Sequence, residues 1–592
     1  MNSSPPGITS KERQNRRGDR SPVKPIVRRA LVGLLCGTIS SIFLFSAVRS
    51  VGLGLCLGSL LGIGQVFAFF ELENGSAIDR AMTCAALGLP FWATINLILL
   101  PIAAGQEPQW TAGDMRSLFP ALIGWLLFFL FLGALSQAAR RVSEHFLGPE
   151  SPRRAPSAPT KTTQVVILGG GFAGVTTAAH LEKQFRDDPM VSFTLISETN
   201  SWLFTPMLVE VATSGLEPTH IATPLRRSLK RTRVLRSRVT SIDLERRQVQ
   251  ANEEGSQTVL HYNHLVLALG SVSNYSGNAA IAENAFEFKT LSDAMRIRNH
   301  VIDVFERAEA EPDPERRRAL LTFVVAGGGF SGAELVGGLN DFARGMTADY
   351  LSLSTADLRI ILVHSRERIL PELSESLAEY AMRRMHERGV TFKPNTRVID
   401  AESGSVTLSS GEKIATATFI WTAGVSPSPI LQELQVRHND RGAVLVDRTL
   451  ELPDYKDVWG IGDGASVPDS TPGKTCPPTA QAATRQAAFL AKNIRASLLG
   501  RRLNPFRFRS LGNLCVVGHH TACAEMLGLK FSGLFAWLLW RGVYLSKLPS
   551  LERKVRIFTD WTLELFFPRD VVQTIDFDGS GSRQNEPELT LR

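Results

Sequence analysis

The chain has 592 residues, more than one compact domain normally holds, in an ordinary globular composition with a net charge of +8. Much of the excess is a basic run at the amino end: Lys11, Arg13, Arg16, Arg17, Arg20, Lys24, Arg28 and Arg29. Nucleic acid could meet such a run, but the residues that follow are largely apolar, so it reads as a membrane flank with no nucleic-acid partner. Six cysteines (Cys36, Cys56, Cys84, Cys476, Cys515, Cys523) include no C-x-x-C pair, which argues against a disulfide scaffold or a zinc site and predicts no metal.

Residues 1–29, basic and Pro/Ser-rich, predict a disordered start. Four apolar runs follow: Ala30–Val48, Val51–Phe70, Ala81–Ala104 and Leu118–Ala139, without Asp, Glu, Lys, Arg or His. Each is near the roughly 20 residues that cross a bilayer as a helix, so residues 30–140 predict a four-helix transmembrane region. A cleaved signal peptide would explain only the first run; buried soluble helices are the other reading. Basic residues flank the set (the amino end; Arg140, Arg141, Arg153, Arg154 and Lys161 after it), whereas Gly105–Ser117 has only Arg116. An even number of crossings then leaves both ends and the catalytic domain on the cytoplasmic face. Without ionisable groups at depth, these helices suit an anchor or assembly module rather than an ion pump.

Residues 141–162 read as a linker, rich in Pro, Ser and Arg. Short β-branched runs then alternate with helical stretches: Val165–Leu168, Phe193–Ile196, Leu265–Leu269, Phe323–Ala326, Arg359–Val363 and Phe419–Trp421. That alternation predicts α/β architecture with parallel sheets. Two strand–turn–helix units carry G-x-G-x-x-G: Gly169, Gly171 and Gly174 in one, with Phe172 and Ala173 between, and Gly327, Gly329 and Gly332 in the other. The first glycine makes a tight turn, the second admits a pyrophosphate to the backbone, and the third lets helix and sheet pack closely. The helix start offers free N–H groups and a positive dipole end to the anion. Two such sites in one chain suggest a cofactor couple, FAD and NAD(P)H. The stretch "VWGIGDGA", Val458 to Ala465, adds Asp463 as a flavin-binding acid. For the ribose partner of the first site, Glu198 is the candidate, with Ser197 at the position normally acidic. The second site has no such acid, and Arg366 and Arg368 follow its strand; NADH is preferred and NADPH is the alternative.

These stretches resemble the type II NADH dehydrogenases, single-subunit, non-pumping NADH:quinone oxidoreductases. The likeness covers about Thr163 to Asp570 and includes "LFTPMLVEVATSGLEPTHIATPLR", "LVLALGS", "LSDAMRIRNH", "GGGFSGAELVGGLNDF", "RILPEL", "WTAGV", "PPTAQAATRQAAFLAKNI" and "DWTLELFFPRD". It implies two Rossmann-like domains in a pyridine nucleotide-disulfide reductase-like fold: FAD-binding at 163–320 and 436–495, with NAD(P)H-binding at 321–435 between. It also implies a membrane-association region at 496–570, which leaves a disordered tail at 571–592. Glu334, two residues past the last glycine of the second turn, is implied to lie near the flavin and to act with Gln481 in delivering protons to the quinone, ubiquinone or menaquinone. Ala480 and Gln481 are implied to line the flavin ring, while Arg485 departs from the Gln some members carry. The family often dimerises.

Lys530–Phe558 is rich in aromatic and apolar residues (Phe531, Leu534, Phe535, Trp537, Leu538, Trp540, Tyr544, Leu545, Leu548) and in Lys and Arg, which predicts an amphipathic helix against membrane lipid. His180, His519 and His520 have no metal-like setting. Two further readings stand beside the main one: a sulfide:quinone reductase-like flavoenzyme, which would use cysteines near the flavin, and a low-turnover membrane redox sensor or assembly protein.

Overall fold

The computed structural model describes residues 23–48, 50–68, 81–82, 84–106, 117–147, 162–253, 255–471, 473–526 and 528–573. Most of the basic start, the linker and the tail lie outside these. The chain forms two compact units, Met1–Arg153 and Arg154–Arg592.

In the first unit, α1 (Val23–Ser40) and α2 (Val51–Ala68) pair through glycine. A Cβ on Gly37 would stand 2.1 Å from the Gly58 carbonyl oxygen, and one on Gly33 would stand 2.6 Å from that of Gly62. Only bare backbones can come so close. The Gly88–Ala103 helix (α3) and α4 (Phe119–Leu147) complete the unit. Asn96 is buried among apolar side chains, where its amide donates to the Ala47 carbonyl at 2.7 Å and accepts from Trp125 Nε1 at 2.8 Å. Left unpaired there, the amide would cost about 1–3 kcal/mol.

Four crossings are not supported. Among the described residues one helical stretch, Phe119–Ala139, is long and apolar enough to span a bilayer; Ala30–Leu44, Val51–Gly64 and Gly88–Ala103 are each 17 residues or fewer. An apolar run is not yet a helix of equal length. The first run tightens to 3₁₀ at Ser41–Leu44, and the third breaks at a turn over Ala86 and Leu87 and loosens to π geometry over Ala93–Leu99.

The second unit begins with β1 (Thr163–Leu168), α5 (Phe172–Gln184), β2 (Val191–Ser197), α6 (Leu208–Ala212), β3 (Thr232–Arg236), β4 (His264–Leu267), β5 (Phe286–Glu287) and α7 (Leu291–Ala310). Next come β6 (Thr322–Ala326), α8 (Phe330–Met346), β7 (Arg359–Val363), β8 (Val390–Lys393), β9 (Thr418–Trp421), β10 (Glu451–Leu452), β11 (Tyr455–Gly460) and α9 (Ala480–Leu498). The strands make two sheets, ordered β10-β11-β4-β1-β2-β3 and β5-β9-β6-β7-β8, parallel except for β10. The central strands are buried on both faces, which is why they read as near-continuous apolar runs. In each sheet the strand feeding a glycine turn, β1 or β6, lies where the order reverses, the place such sheets bind ligands.

The chain ends in an antiparallel sheet, β12 (Gly512–Val516), β13 (Ala522–Met526) and β14 (Leu529–Ser532), followed by α10 (Gly533–Lys547) and α11 (Leu551–Leu563). This corrects the expected lipid face. Phe535, Trp537, Leu538, Trp540, Leu545 and Leu548 are buried, because α10 packs its apolar side on β12 to β14. The exposed apolar ridge is instead Val555, Phe558, Leu563, Leu565, Phe566, Phe567 and Val572.

Candidate functional site

The first glycine turn is closed by backbone. Gly169 has φ +108°, and a Cβ there would stand 2.1 Å from the Ala268 oxygen; one on Gly174 would stand 1.9 Å from the Gly169 oxygen. Gly171, the cap of α5, faces open space, as a backbone receiving a pyrophosphate must. Ser197 Oγ occupies the space a side chain at Gly170 would need. Ala173 packs against Gly462, which brings Asp463 to this turn. Asp463 accepts from Ser271 Oγ at 2.9 Å, and that oxygen accepts from Lys289 Nζ at 2.8 Å. Burial lowers Lys289 below the usual lysine range, although Asp463 and Glu287 oppose it. Glu198 is more exposed and holds Arg238 at 3.2 and 3.3 Å. Phe172 opens an aromatic wall: its ring lies 5.1 Å from Trp202 and 5.8 Å from Phe204, and Phe204 lies 6.0 Å from Tyr544. This cradle fits an FAD pyrophosphate and its hydroxylated linker.

The second turn repeats the plan. Gly327 has φ +116°, and a Cβ there would meet Thr422 Oγ1 at 2.6 Å; Gly332 closes against the Gly327 oxygen at 1.8 Å. Gly329 is nearly open, with Glu372 the nearest side chain at 3.5 Å. His364, under the turn, accepts from the Gly328 N–H through Nδ1 at 3.1 Å, and burial, helped by Arg366, lowers it below the usual histidine range. The cradle fits a second dinucleotide.

Glu334 sits one turn into α8. Its Oε1 accepts from the Val516 N–H of β12 at 3.1 Å. Burial pushes it up to about 8; Val516 and Trp540 offset part of the rise, and the charge of Glu210 adds to it. A carboxyl at that value holds a proton at neutral pH and can release it. Gln481, in the first turn of α9 beside Ala480, uses both ends of its amide on backbone: Nε2 donates to Gly512 O at 3.2 Å, and Oε1 accepts from Leu511 N at 2.9 Å. It therefore fixes the entry to β12, the strand that holds Glu334. Arg485 donates to the Arg509 carbonyl and lies over Phe508 at 5.9 Å.

Lys289 and Glu210 were not singled out from sequence. Glu210 lies inside "LFTPMLVEVATSG", and only three-dimensional neighbours distinguish it. Cys515 and Cys523 face each other across β12 and β13, and both are free. Burial pushes Cys523 to about 12, Cys515 well up and Cys476 to about 11, so none offers a ready thiolate. The His519 and His520 ring centres lie 3.6 Å apart with the rings tilted at 41°, and among the described residues no group of His, Cys, Asp and Glu could hold a metal.

The pyridine nucleotide-disulphide oxidoreductase family matches residues 163–487, and the NDH2 C-terminal domain matches 511–570. The type II NADH:quinone oxidoreductase Ndh of Mycobacterium tuberculosis is 32% identical over 435 residues, 71% of this chain and 92% of that protein. A probable NADH dehydrogenase of Dictyostelium discoideum is 31% identical over 69% of this chain and 90% of its own length. The fold of NDH2 from Plasmodium falciparum, solved with NADH, superposes with a TM-score of 0.65 at 19% identity, covering 70% of this chain and all of that one.

Proposed function

This chain belongs to the type II NADH:quinone oxidoreductase family, and from there we propose how its own residues carry the reaction. The enzyme is an NADH:quinone oxidoreductase with FAD and NADH as cofactors, and NADPH is the alternative donor. The two glycine cradles would hold FAD and NADH, and a bound flavin would supply the two-electron relay from NADH to a quinone; one further proton enters from solvent, and no ion is pumped. Gly169, Gly171 and Gly174 with Phe172, Ala173 and Asp463 hold the FAD, Lys289 steadies Asp463 through Ser271, and Glu198 serves the ribose. Gly327, Gly329 and Gly332 hold NADH. Glu334 keeps a proton for the quinone, Gln481 sets the strand that carries its backbone donor, and Ala480 lines the flavin ring. The observation that carries this reading is the pair of open glycine cradles with a proton-bearing carboxyl on the helix of the second.

Family members are membrane-associated. We place the Val555–Val572 ridge against lipid, where a quinone with an apolar tail is dissolved, and the catalytic unit on the cytoplasmic face. Homodimerisation is part of the same proposal. The test uses the purified full chain in lipid vesicles. NADH oxidation should require added ubiquinone or menaquinone; no turnover with either quinone, from NADH or NADPH, defeats the reading.

A further inference from the structure

Glu210 has no role in the reaction as set out above, yet it is a half-buried carboxyl whose charge is felt by Glu334. It stands on α6, which packs on α8. The two helices approach because Gly338 lies between them: a Cβ there would stand 3.0 Å from Val209 Cγ1 and 3.1 Å from Thr213 Cγ2. From α11, Trp561 Nε1 donates to both Glu210 oxygens, at 3.1 and 3.2 Å. Two arginines are near but are matched to another acid. Arg541 of α10 donates to Glu564 at 2.7 Å, its guanidinium lying 3.8 Å from the Trp537 ring centre and 4.8 Å from that of Trp561. Arg569 donates to the other Glu564 oxygen at 2.9 Å and to the Thr213 carbonyl at 3.0 Å.

Among the described residues, Glu210 is thus left with one neutral indole as its hydrogen-bond donor. Burial pushes it up to about 7; Arg541 lowers it, Glu564 raises it, and Trp561 and Arg569 lower it. The groups whose charge meets Glu334 are few: Glu210 itself from α6, Cys515 from β12 and Tyr544 from α10, both of which also rise by burial. Two carboxyls, each raised toward neutral pH by burial, lie on touching helices.

We propose that Glu210 and Glu334 form one proton-exchanging pair, Glu334 on the substrate side and Glu210 behind it as the positioning residue that returns a proton to Glu334 after each quinol forms. The inference rests on the NADH:quinone reading. Its balance is NADH + H⁺ + quinone → NAD⁺ + quinol: the hydride brings both electrons, and the pair moves the single solvent proton. As an O–H bond forms on Glu334 one breaks on Glu210, and the Glu210 carboxylate takes the next proton from solvent.

Glu210→Gln in the flavin-loaded full chain tests this, since Gln keeps the volume and an oxygen for Trp561. The half-reaction with NADH should stay within about twofold of the unaltered protein, and the half-reaction with a short-chain quinone should fall about tenfold. The alkaline limb of the quinone half-reaction should move to lower pH, because Glu334 loses the neighbouring charge that raises it. Infrared spectra of protonated carboxyls in the resting protein, from about pH 5 to 9, should lose one of two titrating bands. Trp561→Phe removes the donor and should move the Glu210 band to higher pH; it serves with Glu210→Asp if Glu210→Gln does not fold. An unchanged quinone half-reaction and pH profile in Glu210→Gln, or both carboxyl bands persisting in it, overturns the proposal. If the unaltered protein fails with quinone, the functional reading falls, while the infrared titration still reports on the pair.

Discussion

Glu334 has a measurable cost at rest. Its value of about 8 lies above the 4.5 of an unperturbed Glu. Below about pH 4.5 folded and unfolded chains both carry this proton. Between there and about 8 only the folded chain does, so the native state binds more protons and stability falls as pH rises, levelling off above 8. Glu210, at about 7, acts in the same direction. Glu334→Gln should therefore raise the melting temperature more at pH 8 than at pH 5, by about 2 °C or more, while quinone turnover falls at least tenfold. Melting curves at the two pH values and steady-state rates decide it; an equal shift at both would mean that Glu334 is not protonated in the fold. Lys289 gives a second test. Its ammonium is hydrogen-bonded to Asp463 through Ser271, so Lys289→Ala should cut bound flavin per chain to about half or less, read from the flavin-to-protein absorbance ratio. Full flavin content would remove Lys289 from the site.

Helix α8 shows how an element sets these residues in place. Gly337 lies against the backbone of Val517, where a Cβ would stand 2.6 Å from its carbonyl carbon; Gly338 faces side-chain methyls at 3.0 and 3.1 Å. Backbone cannot yield as methyls can. Gly337→Ala should cost about 2–3 kcal/mol and Gly338→Ala about 1 kcal/mol or less, compared by denaturant midpoints; the opposite ranking would refute the packing described for α8. The two glycine turns were legible in sequence because positive φ and close backbone approach demand glycine at Gly169 and Gly327. The parallel strands were legible because burial on both faces leaves only apolar residues in them. Glu210 was not, since its meaning comes from Trp561 and Arg541, far along the chain. Nor was the buried side of α10: aromatic content says that a helix seeks an apolar surface, not whether that surface is lipid or protein. The third amino-terminal run misled for a different reason, since its helix breaks at a turn over Ala86 and Leu87.

At the scale of the whole molecule, the exposed ridge from Val555 to Val572 is contiguous with α11 and the segment that follows, and that segment is tied back to the body. Arg298 donates to the Val572 and Asp570 carbonyls, and Arg569 to that of Thr213. Replacing Phe566 and Phe567 together by Asp should therefore leave the fold intact. Turnover with a long-tailed quinone in vesicles should fall about tenfold, with a water-soluble analogue changed less than about twofold. Equal losses with both quinones would move the lipid contact elsewhere. The sheet of β1 has another consequence. Its strand β4 is flanked by β11, which the chain reaches only after the entire second sheet. On the ribosome, then, β4 emerges with a bare edge and must wait while the inserted sheet is synthesised. A nascent chain stalled before Tyr455 would display that edge to its neighbours, so truncation there should give insoluble aggregates bound to chaperones rather than a half-active enzyme.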